Sequence, residues 1–375
     1  MSASARQHRF TLTERMELPR IAVIGAGVAG SACAAELLRA GFDVTVFDKS
    51  RGLGGRMATR RAEWTDANGT TNAAVFDHGC PHFTATRPRF RALIDRAERL
   101  GTAASRQQRV YAAFPAPPIR HVVAPTPDMP AFCRHLPSDA PLCPGYAVTG
   151  LDRCADGWQL RFGNDEAAPF EHENIEGPFV HVAMAIPPAQ AAMLLRGHHD
   201  EWAAALAAFR MAPCWTLIAL TDDSDWPWDA AEPERSVLAW IGRDDRNPVR
   251  APAFRAPPAG TVQWVAHATP AWSLAHLEDY PALVIEVLRD ALGRLLTSGP
   301  VPRWNHTNVH RWRYARLGLA PCGDSFGDCS AGAAWCSGDE LTDAVAASFD
   351  AEAGSSKTRG PIPSPVPEDA AERVH

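Results

Sequence analysis

Apolar positions near the start of the chain predict a strand, a helix and a second strand in succession. Residues 21–24 form a continuous apolar run, typical of a buried strand. Residues 28–40 have helical spacing of small and apolar side chains, and Gly41 ends the predicted helix. Residues 44–48 form the second predicted strand. The pattern therefore predicts a βαβ unit.

Turn signals further along predict hairpins, and periodic apolar residues predict helices. Asn68-Gly69 and Asp156-Gly157 each lie between strand-like segments and predict two hairpin turns. Residues 180–186 predict another strand. A helix is predicted by the spacing of Phe90, Leu93, Ile94, Ala97 and Leu100.

The two ends of the chain lack these patterns. Residues 1–19 have no periodicity, and we expect a flexible N-terminal extension in which Met16 is an alternative start. Residues 360–367 carry proline at every second position, which removes amide donors and favours extended chain. We therefore expect residues 353–375 to be a disordered Pro/Ser-rich tail.

Composition excludes several classes of function. A chain of 375 residues with 46% hydrophobic residues can bury a substantial core, and no apolar run is long enough to cross a bilayer. The net charge of -6 argues against a general nucleic-acid surface. The 9 cysteines include no C-x-x-C pair, so neither a disulfide framework nor a metal site is expected. We expect a cytoplasmic enzyme without nucleic-acid or membrane partners.

The strongest motif is a glycine-rich turn between the first predicted strand and helix. It reads G-x-G-x-x-G, with Gly25 for the tight turn, Gly27 for close approach of a pyrophosphate and Gly30 for helix packing. The helix N-terminus, which begins with Val28 and Ala29, faces the phosphates. Asp48 ends the second predicted strand, where a carboxylate can accept hydrogen bonds from ribose hydroxyls.

This motif does not separate FAD from NAD, and two further elements favour FAD. The segment after Asp48 reads K-S-R-G-L-G-G-R-M, whose glycines and Arg56 suit a diphosphate. Near the C-terminus, Gly323-Asp324 is followed by small residues that lead into a predicted helix around Gly332.

Four blocks in this order resemble the bacterial renalase family, a branch of the amine-oxidase-like FAD superfamily. They read D-K-S-R-G-L-G-G-R-M from Asp48, F-D-H-G-C-P-H-F-T-A from Phe76, H-A-T-P-A-W-S from His267 and H-R-W-R-Y-A from His310. The resemblance spans about residues 20–350.

The resemblance implies an α/β architecture like that of p-hydroxybenzoate hydroxylase. A Rossmann-type FAD-binding domain would be built from residues 20–84, 145–192 and 302–352. An inserted α+β substrate domain would comprise residues 85–144 and 193–301.

The resemblance also implies noncovalent FAD, although Cys80 in the second block raises the alternative of a covalent flavin link. Asp48 would hold the adenosine ribose, Arg56 the pyrophosphate region and Asp324 the ribityl chain. The helix near Gly332 would point its N-terminus at the flavin N1 and C2 carbonyl. The expected cofactor-binding residues are Gly25, Gly27, Val28, Ala29, Gly30, Asp48, Lys49, Gly55, Arg56, Met57, Gly79, Val148, Gly323, Asp324 and Gly332.

The substrate expected from the resemblance is a misreduced dihydronicotinamide, an isomer of NAD(P)H. It would be oxidised to NAD(P)+, with the electrons passed to O2 to give H2O2. Amine oxidation is disfavoured because Lys49 and Lys357 are the only lysines, and both lie away from the expected flavin face. No catalytic residue is assigned. The expected pocket residues are His82, Phe83, His267, Trp272 and Trp312.

Two alternatives stay open from the sequence. One is a flavin amine oxidase or a desaturase, and the other is a noncatalytic flavin- or nucleotide-binding redox sensor. Three departures from the renalase pattern bear on the pocket and on FAD affinity: Cys80-Pro81, Pro321 before Gly323, and Asp328 where a glutamate is expected before Gly332.

Overall fold

A computed structural model defines most of the chain. It describes residues 18–66, 68–112, 119–136, 140–163, 175–223, 226–246, 259–296, 302–317, 331, 333–338, 340 and 342–343. The predicted tail and almost all of the N-terminal extension lie outside these residues. The same holds for five positions singled out near the C-terminus, which are Pro321, Gly323, Asp324, Asp328 and Gly332.

Strands dominate the described part of the chain. They are β1 (Arg20–Ile24), β2 (Asp43–Asp48), β3 (Arg60–Thr65), β4 (Thr71–Phe76), β5 (Ala103–Ala112), β6 (Ile119–Pro125), β7 (Leu142–Pro144), β8 (Val148–Cys154), β9 (Gly157–Phe162), β10 (Ile175–Phe179), β11 (His181–Met184), β12 (Met211–Asp222), β13 (Ala230–Glu232), β14 (Leu238–Arg243), β15 (Thr261–Ala268) and β16 (Trp304–Leu317).

The α-helices are α1 (Val28–Arg39), α2 (Pro88–Arg99), α3 (Ala131–His135), α4 (Pro188–Leu195), α5 (Asp200–Ala208), α6 (Pro270–Ala275) and α7 (Pro281–Leu296). Residues 331, 333–338, 340 and 342–343 are also helical.

The predicted βαβ unit is confirmed and forms the centre of a parallel sheet. Its strand order is β11-β1-β2-β7, and every neighbouring pair is parallel. Ile21 and Val23 of β1 are fully buried and pack with Leu37 of α1 in one core. The apolar run of β1 thus reflects a central strand covered on both faces.

The largest sheet, which we call the large sheet, has the strand order β16-β12-β15-β14-β13-β5-β6. Its two faces carry different residues because side chains alternate along each strand. On β15, Trp264 and Ala266 pack with Leu288 of α7. Val265, between them, packs on the other side with Phe76 of β4. We call this second side the site face.

The remaining elements are two hairpins and a group of helices. The hairpins predicted at Asn68-Gly69 and Asp156-Gly157 are confirmed as β3–β4 and β8–β9. A further core joins α1, α2, α3 and the helical residues after 330 through Val28, Phe90, Phe132 and Trp335. This core fixes the helix near the C-terminus against the N-terminus of α1.

The Rossmann-type α/β fold is as expected, but two borders of the expected domains separate strands that pair with each other. Residues 142–144 were assigned to the substrate domain, whereas β7 pairs with β2 in the parallel sheet. Residues from 302 were assigned to the cofactor domain, whereas β16 pairs with β12 along nearly its whole length. Both differences have one cause, since strand pairing between distant segments leaves little local signal.

Candidate cofactor and substrate site

The glycine-rich turn brings the N-terminus of α1 close to the ends of the parallel strands. A Cβ on Gly30 would lie 1.8 Å from the carbonyl oxygen of Gly25, so only glycine allows this approach. Gly25 has φ 105, and a Cβ there would lie 2.5 Å from the carbonyl oxygen of Ala185. Gly27 differs, because the nearest atom to its Cβ would be 3.9 Å away. Gly27 therefore faces space that a ligand can use.

A second glycine-rich loop, which contains Gly54 and Gly55, packs against the first turn. We call the two together the glycine loops. The amide of Gly54 donates to the carbonyl of Ala26 at 3.0 Å. A Cβ on Gly55, which has φ 53, would lie 3.4 Å from the Cα of Gly27. Val28 and Ala29 begin α1 after Gly27, and no side chain of the described residues caps this helix. Backbone amides at the helix start are thus available to an anion.

Asp48 connects the two loops at the end of β2. One carboxylate oxygen accepts from the amide of Ala26 at 2.7 Å, and the other accepts from the amide of Ser50 at 2.7 Å. Each oxygen keeps further acceptor capacity, so the carboxylate can also accept from a ribose hydroxyl.

Residues 77–83, which we call the bridging loop, connect this region to the large sheet. A Cβ on Gly79 would lie 2.0 Å from the carbonyl oxygen of Arg56 and 3.3 Å from Cζ2 of Trp312. The amide of Cys80 donates to the same Arg56 carbonyl at 2.8 Å. At the start of the loop, the amide of Asp77 donates to Oδ2 of Asp244 at 3.2 Å. The bridging loop is therefore held in place both at its start and in its middle.

A row of side chains crosses the site face beneath the bridging loop. His267 on β15 lies opposite Trp240 on β14 and Thr216 on β12, and Thr216 lies opposite His310 on β16. Cross-strand partners point to the same side of a sheet, so these residues share one face. Trp312 belongs to the same face because it is two residues beyond His310.

The rings of the bridging loop pack against this row. The His78 ring lies 4.7 Å from that of His310 and 5.0 Å from that of Trp312, between centroids. The His82 ring lies 5.8 Å from that of Trp240. Nε2 of His267 donates to the carbonyl of His78 at 3.3 Å. The result is a surface of flat rings beside the glycine loops.

Several buried polar atoms on this face have no hydrogen-bond partner among the described residues. These atoms are Nδ1 of His78, Nδ1 of His82, Oε1 of Gln108, Nε2 of His306 and Nε1 of Trp312. Leaving one such atom unsatisfied costs about 1–3 kcal/mol. Their concentration on a single face makes this face the candidate site for a polar ligand.

Three of the imidazoles at this face, those of His78, His82 and His310, have lowered pKa values. Burial lowers the pKa of His78 to about 3, with smaller effects from His310, Arg60 and His267 that outweigh a hydrogen bond to the Ala58 backbone. Burial also lowers the pKa of His310 to about 4, aided by Arg60.

His82 behaves in the same way. Burial lowers its pKa to about 3, and Arg106, Arg120 and His267 lower it further. Arg60, Arg106 and Arg120 are the arginines that lower the pKa values of these three imidazoles, and their effects come after that of burial.

The structure brings together three of the five expected pocket residues, His82, His267 and Trp312. Phe83 packs in a core, with its ring 5.6 Å from Phe90. Trp272 stacks on His276 at 4.4 Å and packs with the core on the α7 side of the large sheet.

Three further residues of the expected cofactor set lie in different surroundings. Met57 is buried in the core that contains Val28, whereas Lys49 is exposed. Val148 is the first residue of β8 in the three-stranded sheet, and it packs against the core that contains Phe47. Sequence reasoning missed the residues Thr216, Trp240, His78, His310 and Gln108.

Comparisons with known proteins match this architecture. A family described as an NAD(P)-binding Rossmann-like domain matches residues 23–97. A zeta-carotene-forming phytoene desaturase from Myxococcus xanthus is 62% identical over 37 residues, which are 10% of this chain and 7% of that protein. The matched segment thus spans a small part of both chains.

Solved structures extend the likeness over most of the chain. A putative protoporphyrinogen oxidase from Exiguobacterium sp. 255-15 has TM-score 0.60 at 11% identity, covering 88% of this chain and 99% of that one. Cyclohexylamine oxidase from Brevibacterium oxydans IH-35A has TM-score 0.58 at 12% identity, covering 89% and 100%. A reduced UDP-galactopyranose mutase has TM-score 0.61 at 11% identity, covering 88% and 94%. The chain therefore shares its overall fold with these three proteins.

Among the described residues, no helix is long and apolar enough to span a membrane. No group of His, Cys, Asp and Glu side chains in the same part of the chain is placed to hold a metal ion.

Proposed function

We propose that this chain is an FAD-dependent oxidoreductase that binds FAD noncovalently between the glycine loops and the site face. The described residues fit the cofactor. Gly27 and Gly55 leave backbone exposed where a pyrophosphate would lie, and α1 presents uncapped amides to it. Asp48 would hold the adenosine ribose, and Arg56 would lie beside the pyrophosphate.

The remaining cofactor contacts follow from the resemblance. Gly323, Asp324 and the helix start near Gly332 would contact the ribityl chain and the flavin, and they stay predictions. Noncovalent binding agrees with the environment of Cys80, whose thiol donates to the carbonyl of His82 at 2.9 Å. Denaturation should therefore release all of the flavin.

We further propose that the substrate is a misreduced dihydronicotinamide, an isomer of NAD(P)H. The observation that carries this proposal is the ring-lined surface, where burial lowers the pKa of His78 and His82 to about 3 and that of His310 to about 4. Such imidazoles are too weak as bases to deprotonate an ammonium group. A dihydronicotinamide needs no such proton removal, because loss of hydride restores the aromatic ring.

The residues of this chain would act by binding and orientation. Trp240, His267 and Trp312 would hold the flat ring, which is a positioning effect rather than acid–base catalysis. FAD, when bound, would supply a two-electron acceptor for the hydride, and O2 would be the final acceptor of the electrons. The balance is one dihydronicotinamide, one O2 and one proton to one NAD(P)+ and one H2O2.

The first alternative is another FAD-dependent enzyme, an amine oxidase or a desaturase. An amine substrate is cationic at neutral pH, and the arginines near the site face disfavour it. The second alternative is not an enzyme: it is a redox sensor that binds the flavin or nucleotide without catalysing a reaction.

The test is aerobic turnover of the purified holoprotein, measured as peroxide formation. We expect rapid peroxide formation with borohydride-generated NADH isomers and slow formation with primary amines. Rapid turnover of an amine with none of the isomers would favour the amine oxidase. No turnover with either class, in a protein that binds FAD, would favour the sensor.

A further inference from the structure

Helix α7 carries apolar side chains on two adjacent faces, and only one of them packs against the large sheet. The packed face consists of the buried residues Val284, Leu288, Leu292 and Leu296. On the second face, Leu283, Val287 and Leu295 are 55%, 44% and 38% exposed. Large apolar side chains that recur on one exposed helix face form a continuous patch, which is typical of a protein interface.

The exposed apolar residues form one ridge along the helix. Its members follow one another at four-residue intervals, the spacing of a packing ridge, and are Leu283, Val287, Ala291 and Leu295. Tyr280, directly before α7, is 78% exposed and adds an aromatic ring near the start of this ridge. We call these five residues the α7 ridge.

A row of charged residues runs beside the α7 ridge at the same spacing. Glu286, Asp290 and Arg294 are all exposed, so the row changes from negative to positive toward the C-terminal end of the helix. Nη2 of Arg294 donates to Oδ2 of Asp290 at 2.5 Å. The Arg294 side chain is 76% exposed, and its guanidinium has further N–H groups for a second carboxylate.

This charge order complements a second copy of itself when the two helices are antiparallel. In that arrangement Arg294 of the second copy faces Glu286 of the first, and the two-fold axis repeats the contact at the other end. A parallel copy would instead place like charges together. The ridge also matches itself, because the Leu283 end of one helix meets the Leu295 end of the other and the small Ala291 faces Val287.

We infer that α7 forms the interface of a two-fold symmetric homodimer, in which two α7 ridges pack antiparallel. A second copy of this chain fits better than a lipid surface, because the charged row includes two carboxylates, which an anionic membrane repels. The α7 ridge lies on the side of the large sheet away from the site face, so the dimer leaves both site faces uncovered. The inference does not depend on the proposed function.

The test is sedimentation velocity of the full-length protein over a range of concentrations. One helix pair buries less than the roughly 1,600 Å² of a standard interface, so we expect a reversible dimer with a dissociation constant on the order of micromolar. Val287→Asp should raise this constant about 100-fold or more, because the symmetry places two carboxylates in one apolar contact.

Met193→Asp is the matched control, because it places the same carboxylate at an exposed apolar position of another helix. Met193 lies on α4 and is 66% exposed. The control should dimerise like the parent protein. Far-UV circular dichroism of each variant checks that the fold is kept.

A charge exchange tests the antiparallel arrangement. Glu286→Arg and Arg294→Glu should each weaken the dimer about 10-fold, because every substitution acts twice across the two-fold axis. The double variant should restore the affinity of the parent. Positions 286 and 294 are eight residues apart, about 12 Å along one helix, so restoration reports a contact between chains. These surface variants keep the test decisive even if Val287→Asp lowers stability.

Three results would overturn the inference. The first is a parent protein that stays monomeric at every concentration. The second is a dimer that Val287→Asp leaves intact, or that Met193→Asp weakens as much. The third is a charge-exchanged double variant that dimerises no better than the single variants.

Discussion

Two glycines of the first turn provide a matched pair of substitutions that separates cofactor binding from folding. Gly27→Ala adds a methyl group whose nearest neighbour is 3.9 Å away, whereas Gly30→Ala adds one 1.8 Å from the carbonyl oxygen of Gly25. Gly27 has φ -80, which alanine adopts freely. The apoprotein therefore has room for alanine at position 27 but not at position 30.

The expected magnitudes follow from these distances. For Gly27→Ala, the free energy of unfolding of the apoprotein should change by less than about 1 kcal/mol, since alanine is a poorer N-cap but restricts the unfolded chain. For Gly30→Ala it should fall by about 3 kcal/mol or more, because the backbone must move. A methyl group at Gly27 meets the expected pyrophosphate, so FAD affinity should fall about 10-fold or more.

The assay is urea unfolding of both apoproteins followed by fluorescence titration with FAD. The reasoning would be refuted by a Gly27→Ala variant that binds FAD as tightly as the parent. It would also be refuted by a Gly30→Ala apoprotein of unchanged stability.

Three further predictions concern other residues. Asp48→Asn should weaken FAD binding about 10-fold by removing the charge that holds two loop amides and the ribose, measured by the same titration. His78 has an ordinary pKa of 6.5 and a folded pKa of about 3, so the unfolded chain binds more protons below pH 6.5 and stability falls as the pH falls. Between pH 6.5 and 5.5 this histidine should account for a loss of about 1 kcal/mol, which His78→Gln should remove in urea unfolding at both pH values. Gln108→Leu should leave apoprotein stability unchanged or raised, because it removes a buried oxygen that lacks a partner among the described residues, and thermal unfolding checks this.

Local patterns in the sequence were sufficient to predict the elements that we propose to hold the nucleotide. The glycine turn, the helix after it and Asp48 lie within one βαβ unit, so their spacing along the chain determines their spacing in space. The hairpin at Asn68-Gly69 was also predictable, because its turn chemistry is local.

The site face was only partly predictable, because it is assembled by pairing between distant strands. His267 and Trp272 are close in sequence, yet β15 ends at Ala268 and α6 carries Trp272 to the α7 side. Thr216 and Trp240 enter the row only through their register with His267. The two-residue period of a strand groups His310 with Trp312, but it does not indicate which face of β16 meets the bridging loop.

The central claim is that the glycine loops and the site face together bind one FAD per chain. The most direct measurement is the visible absorption spectrum of the purified protein, before and after addition of FAD, with the flavin counted against protein after denaturation. We predict a yellow protein with one releasable FAD per chain. A colourless preparation that takes up no FAD would contradict the account.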